Sequence, residues 1–277
     1  MSLTGARLDP MKRPPRFWAQ HDEIVTDRSG RELRLAPWGW SDISENDALA
    51  KAVERIDAIV SRGGPGSLPR DWYYPSGPMR EQLIETIGEL EEPTAIVTRN
   101  RYGAEILNTD QVVIADIDLP KAKRGLFGRK KADPADTARD QIGSFAKAHP
   151  DLGVHSYRTA AGFRVFITGS ALAPGDERAT ALLEELGSDP LYVTLCRAQK
   201  SFRARLTPKP WRVGQGALSV RWPLEDRLWV DDYEKRCRGY AVCAYEMSFG
   251  PAPTPVEQEI LTLHDRATGA SSGLPLA

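Results

Sequence analysis

The run from Gln111 to Pro120, QVVIADIDLP, constrains the chain more than any other stretch. Four apolar residues lead into Asp116-Ile117-Asp118 and then a proline, the pattern of a buried strand that ends at the edge of a site. Side chains alternate across a strand, so Asp116 and Asp118 are expected to project side by side from one face. Two carboxylates so placed repel each other unless a cation lies between them. The chemical reading is a divalent ion held by oxygen, Mg²⁺ or Mn²⁺; the plain alternative is a strand running out into a solvated acidic turn.

At 277 residues the chain has material for one large domain or two small ones. Its 37 Lys and Arg nearly balance its 38 Asp and Glu, so any nucleic-acid partner has to be met by local rather than global charge. Cys196, Cys237 and Cys243 show no CxxC spacing, which argues against a disulfide framework and a zinc knuckle and fits a reducing compartment. No apolar run reaches the roughly 18 residues of a membrane span, and the N-terminus lacks an apolar leader. The expectation is a soluble cytoplasmic protein with no membrane partner.

Residues 1–15 are polar and proline-rich and are expected to lack fixed structure. Residues 16–92 read as a hairpin and helices packed on a core. FWAQHDEIVT and RELRLAPWGW form the hairpin with Gly30 in its turn, Ser44 and Asp47 form a capping box, and Leu49, Ala52, Val53, Ile56 and Ile59 continue a helical stripe. A second helix is expected from about Pro78 to Leu90, with proline in its first turn. Residues 93–250 read as the core. Thr94 to Arg99, a turn at Asn100 to Gly103, and Ala104 to Leu107 make two strands, with the DxD strand as the third of a meander. Arg99, Arg101 and Tyr102 of that turn lie where a template phosphate or base is in reach, although a turn of this composition needs no function. Val154 to Thr159 and Phe163 to Thr168 form a tight hairpin, between helices at about 133–149 and 174–186. Residues 251–277 hold a helix from about Pro255 to Arg266 and a tail of small residues expected to be disordered.

Charge is distributed unevenly along this frame. KAKRGLFGRKK follows Pro120 and reads either as a solvated insertion or as a phosphate-contacting arm. Between Asp189 and Glu225 no acidic residue occurs, while Arg197, Lys200, Arg203, Arg205, Lys209, Arg212 and Arg221 are basic. A stretch of one sign suits an anion, and phosphate is the obvious one.

Three stretches in order resemble the archaeo-eukaryotic primase superfamily, and within it the primase-polymerases. VVIADID is similar to that family's metal motif, YRTAAGFRVFIT to its strand-turn-strand, and SDPLYVTLCRAQKSFRARLTPKP to the segment with its third acidic residue and its nucleotide-binding FR and lysine. The resemblance spans roughly Gln111 to Arg212. It implies an α+β fold with an RRM-like core. It also implies Asp116, Asp118 and Asp189 as catalytic residues holding Mg²⁺ or Mn²⁺, and Arg158, Thr159, Arg164, Arg203 and Lys209 around a nucleoside triphosphate. Single-stranded or primed nucleic acid would be the substrate partner, with a helicase or other replication or repair protein as a possible companion. At the position of the family's second-motif histidine this chain carries Arg164, which grips phosphate but does not titrate near neutral pH.

The function so implied is a metal-dependent nucleotidyltransferase. Its alternative is a catalytically degenerate subunit that binds nucleotide or nucleic acid, with Arg164 turned outward or paired to Asp116 or Asp118 in the metal's place. The DxD strand also resembles the nucleophile strand of haloacid-dehalogenase-like phosphatases, which carry Thr or Val where this chain has Pro120.

Overall fold

The structure is a computed structural model that describes residues 11–26, 30–62, 79–120, 133–216, 222 and 227–277. The chain divides into two units, one of residues 13–80 and one of residues 1–12 and 81–277.

In the smaller unit strand β1 (Phe17–Gln20) pairs with β4 (Trp38–Ser41), and β2 (Glu23–Thr26) with β3 (Glu32–Leu35), all antiparallel. This is the expected hairpin; Gly30 has φ 79°, and the turn residues 27–29 lie outside the described residues. Helix α1 (Glu45–Ser61) starts where Ser44 Oγ accepts the Asp47 N–H at 3.1 Å. Asp47 itself binds Ser41 and Lys51, so half of the expected capping box forms. The buried stripe is Ala48, Ala52 and Ile56, whereas Leu49 and Val53 are exposed. Small residues face the sheet for a steric reason. A Cβ on Gly39 would lie 1.8 Å from the Ala48 carbonyl oxygen, so the helix backbone rests directly on β4.

The larger unit runs β5 (Gln82–Gly88), β6 (Pro93–Arg99), β7 (Glu105–Thr109), β8 (Val113–Asp118), α2 (Pro134–Ala148), β9 (Gly153–Thr159) and β10 (Gly162–Thr168). It continues with α3 (Glu177–Glu185), α4 (Pro190–Gln199), β11 (Phe202–Arg205), a 3-10 turn (Pro210–Arg212), α5 (Arg227–Cys237), β12 (Cys243–Phe249) and α6 (Pro255–Thr268). Its strands form two antiparallel sheets, β11-β7-β6-β5 and β12-β9-β10-β8. The fold is therefore α+β. Residues such as Val97, Leu107 and Phe202 from one sheet share a core with Ile114, Phe163 and Val165 from the other.

Three expectations are corrected. The segment expected as a second helix is strand β5. Its Ile84, Thr86 and Ile87 are β-branched and it pairs along β6, so tertiary pairing overrides the helical propensity of its Glu, Gln and Leu. The DxD strand is not the third of the β6–β7 meander. Strand β11 occupies the free edge of β7, Phe202 opposite Thr109, so β8 joins the other sheet beside β10. The C-terminal tail is ordered to Ala277. Gly269 ends α6 at φ 67°, and Ala277 N–H donates to the Ala241 carbonyl at 3.0 Å while Ala241 N–H donates to that of Pro275.

Strands β8 and β9 are both antiparallel to β10, hence parallel to each other, with α2 as their crossover and β10 between them. This is a split β-α-β arrangement, and β12 adds at the outer edge of β9. Among the described residues no helix is long and apolar enough to cross a membrane.

The outer edge of β8 is completed by α4 and the turn before it. The Tyr192 hydroxyl donates to the Ile114 carbonyl at 2.7 Å and accepts the Arg203 N–H at 3.2 Å, joining β8 to β11 across the gap between the sheets. Tyr192→Phe leaves two buried backbone groups unpaired. It is expected to lower stability by about 2 kcal/mol, read as a fall in the urea midpoint with an unchanged slope.

Candidate functional site

Asp116 is where the two halves of the larger unit meet. Its N–H donates to Ser188 Oγ at 3.0 Å, and its carbonyl accepts the Asp189 N–H at 2.9 Å. These bonds occupy the edge of β8 that a further strand would otherwise take, and they bring Ser188, 72 positions on in sequence, and Asp189 after it beside Asp116. Asp189 then caps α4, its Oδ1 accepting the Leu191 N–H at 2.9 Å, with Pro190 at the first helical position. Asp189 thus reaches the site through its backbone. Among the described residues no three His, Cys, Asp or Glu side chains gather as a metal-binding set.

Strand register decides which side chains share the acidic face. Arg164 lies opposite Asp116 and Gly162 opposite Asp118, while Tyr157 of β9 lies opposite Arg164. Directly paired residues point the same way, so Asp116, Asp118, Arg164 and Tyr157 share one face. Gly162 is required by close approach: a Cβ there would sit 1.8 Å from the Ile117 carbonyl oxygen. Asp118 is exposed, and Asp116 keeps part of its surface in solvent.

Arg164 is 5% exposed and is held from α6 and β11. Its Nη1 donates to the Arg205 carbonyl at 2.9 Å and to His264 Nε2 at 3.0 Å. A guanidinium only donates, so Nε2 accepts and His264 carries its proton on Nδ1, which donates to Asp265 Oδ1 at 2.9 Å. Among the described residues no ion pair within 4.0 Å joins Arg164 to Asp116 or Asp118, and the buried Arg164 Nε–H has no partner. The arrangement in which Arg164 plugs the acidic pair is absent; the arginine faces Asp116 from the neighbouring strand while its guanidinium is fixed from behind.

The electrostatics tie these groups to the segment after β11. Burial pushes the Asp116 carboxyl up and Asp118 adds to the rise, opposed by Arg164, Arg205 and Lys209. Burial, with the charges of Arg164 and Arg212, pushes the Arg205 guanidinium down to about 10. The Lys209 ammonium is lowered first by burial, then by Arg205 and Arg212, against the pull of Asp118 and Asp116. Arg164, Arg205 and Lys209 therefore bear on Asp116, while Arg212 acts on Arg205 and Lys209, and this excess of positive charge in a partly desolvated place suits a further anion. Arg205 was not singled out by sequence within its basic run. Its role depends on the approach of β11 to β8, which no local pattern reveals.

Other expected site residues stand elsewhere. Arg158 lies opposite Phe163, on the face away from Asp116, and its Nη1 donates to the Thr159 carbonyl at 2.8 Å. Strand alternation separates it from Arg164. Thr159 uses its hydroxyl to accept the Gly162 N–H at 2.9 Å, closing the hairpin turn. Arg203 is bound by Glu81 through both carboxylate oxygens at 2.9 and 2.8 Å, and also by Gln199. Both Arg203 and Glu81 are buried, in a network where Glu81 also accepts from Thr98 and Thr98 from Asn108. Arg203 is thereby a structural cation and not a free phosphate ligand. Arg99 is likewise committed, to Glu105 at 3.0 Å and Glu234 at 2.8 Å. The basic run after Pro120 and Arg221 lie outside the described residues.

His264 gives the site a pH signature. Burial lowers its imidazole to about 4 from the ordinary 6.5, with Arg164 acting the same way and Asp265 opposing; Tyr157, Phe166 and Cys243 complete its surroundings. Between those two values the unfolded chain binds a proton that the native state does not. Stability from this residue is therefore full above 6.5 and is lost as pH falls toward 4. The expected loss is about 2 kcal/mol between neutral pH and about pH 5, measured by urea unfolding and smaller in His264→Gln. Comparison of the chain with family models, with curated proteins and with solved structures gives no match, so the site has to be interpreted from its own geometry.

Proposed function

We propose that the protein is a metal-dependent nucleotidyltransferase of primase-polymerase type, which adds nucleotides from nucleoside triphosphates to nucleic acid. The observation that carries this reading is that Arg164 lies opposite Asp116 in the sheet and that Arg205 and Lys209 bear on the same carboxylate, with Arg212 acting on Arg205 and Lys209. Carboxylates beside an excess of cations suit a ligand that is itself an anion carrying a divalent metal. A metal triphosphate has that composition. The split arrangement of β8, α2 and β9 around β10 supports the finer RRM-like description of the core.

The acidic pair fits such a metal. Asp116 is raised by burial and by repulsion from Asp118, a condition that a bound divalent cation relieves. Mg²⁺ is commonly held by one or two carboxylates with substrate phosphates completing its shell, so Asp116 and Asp118 suffice as protein ligands. Asp189, adjacent through its backbone, is the third candidate. Asp116 and Asp118 would hold Mg²⁺ or Mn²⁺, which would supply Lewis-acid chemistry to the 3′-hydroxyl and the pyrophosphate.

The chain's own residues do the rest. Lys209, Arg205 and Arg212 offer positive charge to the triphosphate, a role in which preorganised cations stabilise charge that develops during phosphoryl transfer. Arg164, fixed by His264 and the Arg205 carbonyl, contributes its charge from a set position and needs no reorganisation. Arg203 acts through stability alone.

The test is incorporation of labelled nucleotide on primed and single-stranded templates with Mg²⁺ or Mn²⁺. Wild type is expected to extend, and Asp116→Ala/Asp118→Ala to be inactive while still folded. Lys209→Ala is expected to weaken triphosphate binding with stability changed by less than about 0.5 kcal/mol. Arg203→Ala should instead lose about 3 kcal/mol of stability, because it strands a buried carboxylate. A wild type that binds triphosphate with metal yet incorporates none would overturn the enzymatic reading in favour of a binding subunit.

A further inference from the structure

Two aromatic residues stand exposed next to this site. Trp211 is 55% exposed and Tyr102 37%, and among the described residues no other tryptophan is exposed. Their ring centroids are 5.9 Å apart at 84°, an edge-to-face pair that leaves ring surface open to solvent. Large apolar surface of this kind is the informative exception on a protein exterior.

Both rings are mounted on rigid turns. Asn100 Oδ1 accepts the Tyr102 and Ala104 N–H groups at 2.9 and 3.2 Å. Gly103, at φ 90°, packs so closely on Trp229 that a Cβ would fall 2.3 Å from the ring. Trp211 sits in the 3-10 turn, fixed by Arg212 N–H on the Lys209 carbonyl at 2.8 Å and Val213 N–H on that of the buried Pro210 at 3.1 Å. A cation accompanies each ring. The Arg101 guanidinium lies 4.6 Å from the Tyr102 centroid and the Lys209 ammonium 5.7 Å from that of Trp211.

We infer that Tyr102 and Trp211 form a stacking platform for the bases of single-stranded nucleic acid, with Arg101 meeting its phosphates. This rests on the proposed function and names the template contact of the same site. Flat rings interleaved with cations match a strand that alternates planar bases and phosphates, and such stacking is tolerant of sequence. An acidic peptide would satisfy the cations but has little use for two fixed aromatic faces. Lys209 links the platform to the acidic pair, since it lies over Trp211 and feels the charges of Asp118 and Asp116. A base held on Trp211 would lie beside Lys209, the residue that the proposed function assigns to the triphosphate.

The experiment uses the full chain and fluorescence anisotropy with labelled oligothymidylate and an abasic oligomer of equal length. Wild type is expected to bind oligothymidylate the more tightly. Trp211→Ala and Tyr102→Ala should each weaken that binding about ten-fold, leave the abasic oligomer nearly unaffected, and keep the wild-type melting temperature, with Trp211→Phe close to wild type. Equal binding of the two oligomers by wild type, or variants that bind oligothymidylate as wild type does, would overturn the platform. Preference of the same face for polyglutamate over either oligomer would overturn it too and mark a protein-docking surface. Manganese-dependent triphosphate binding, measured without oligomer, separates the two levels. If it persists while the base effect is absent, only the platform fails; if it is absent while the base effect stands, only the nucleotidyltransferase reading fails.

Discussion

The larger unit depends on how the edge of β8 is closed. An edge strand carries unpaired N–H and C=O groups that must be satisfied when buried. Here side chains and a backbone amide from the α3–α4 region take three of them: Tyr192 binds the Ile114 carbonyl, Ser188 the Asp116 amide and Asp189 the Asp116 carbonyl. These bonds hold the two sheets side by side without a shared strand pair. They also set the surroundings of the acidic strand, because the same closure brings α4 and β11, and hence Arg205 and Lys209, to it. Stability and site geometry have one origin.

That origin explains the charge balance. A partly desolvated carboxylate is costly unless compensated, and Asp116 is compensated by cations that arrive from β10, β11 and the following turn and do not bond it directly. Arg164 is immobilised by a chain from Asp265 through His264, with Nδ1 and Nε2 each given a definite task. A neutral imidazole is the right partner for an arginine that must keep its charge for something else. An acidic partner in that position would have cancelled it, as Glu81 cancels Arg203.

Much of this was legible in the sequence, for identifiable reasons. The DxD strand, the 154–168 hairpin, the cap at Ser44 and the common face of Asp116 and Asp118 all follow from local periodicity and spacing. The placing of β8 in its own sheet did not, because it depends on β11 occupying the edge of β7 from nearly a hundred residues away. The same non-local contact separates Arg203 from Arg205, whose sequence contexts look alike; only the position of Glu81 tells them apart. His264 carries no local signal of its role, because its contact with Arg164 joins α6 to β10 across a hundred residues. The ordered tail was missed because small residues signal flexibility unless a partner such as Ala241 is known.

The central claim is that Asp116 and Asp118 hold a divalent metal together with a triphosphate bound by the basic cluster. It is tested most directly by anomalous diffraction from crystals grown with Mn²⁺ and a nucleoside triphosphate. The account predicts a manganese peak within coordinating distance of both carboxylates and triphosphate density against Lys209 and Arg205. A triphosphate bound there with no manganese at the pair, or a peak elsewhere with Asp116 and Asp118 unligated, would contradict it.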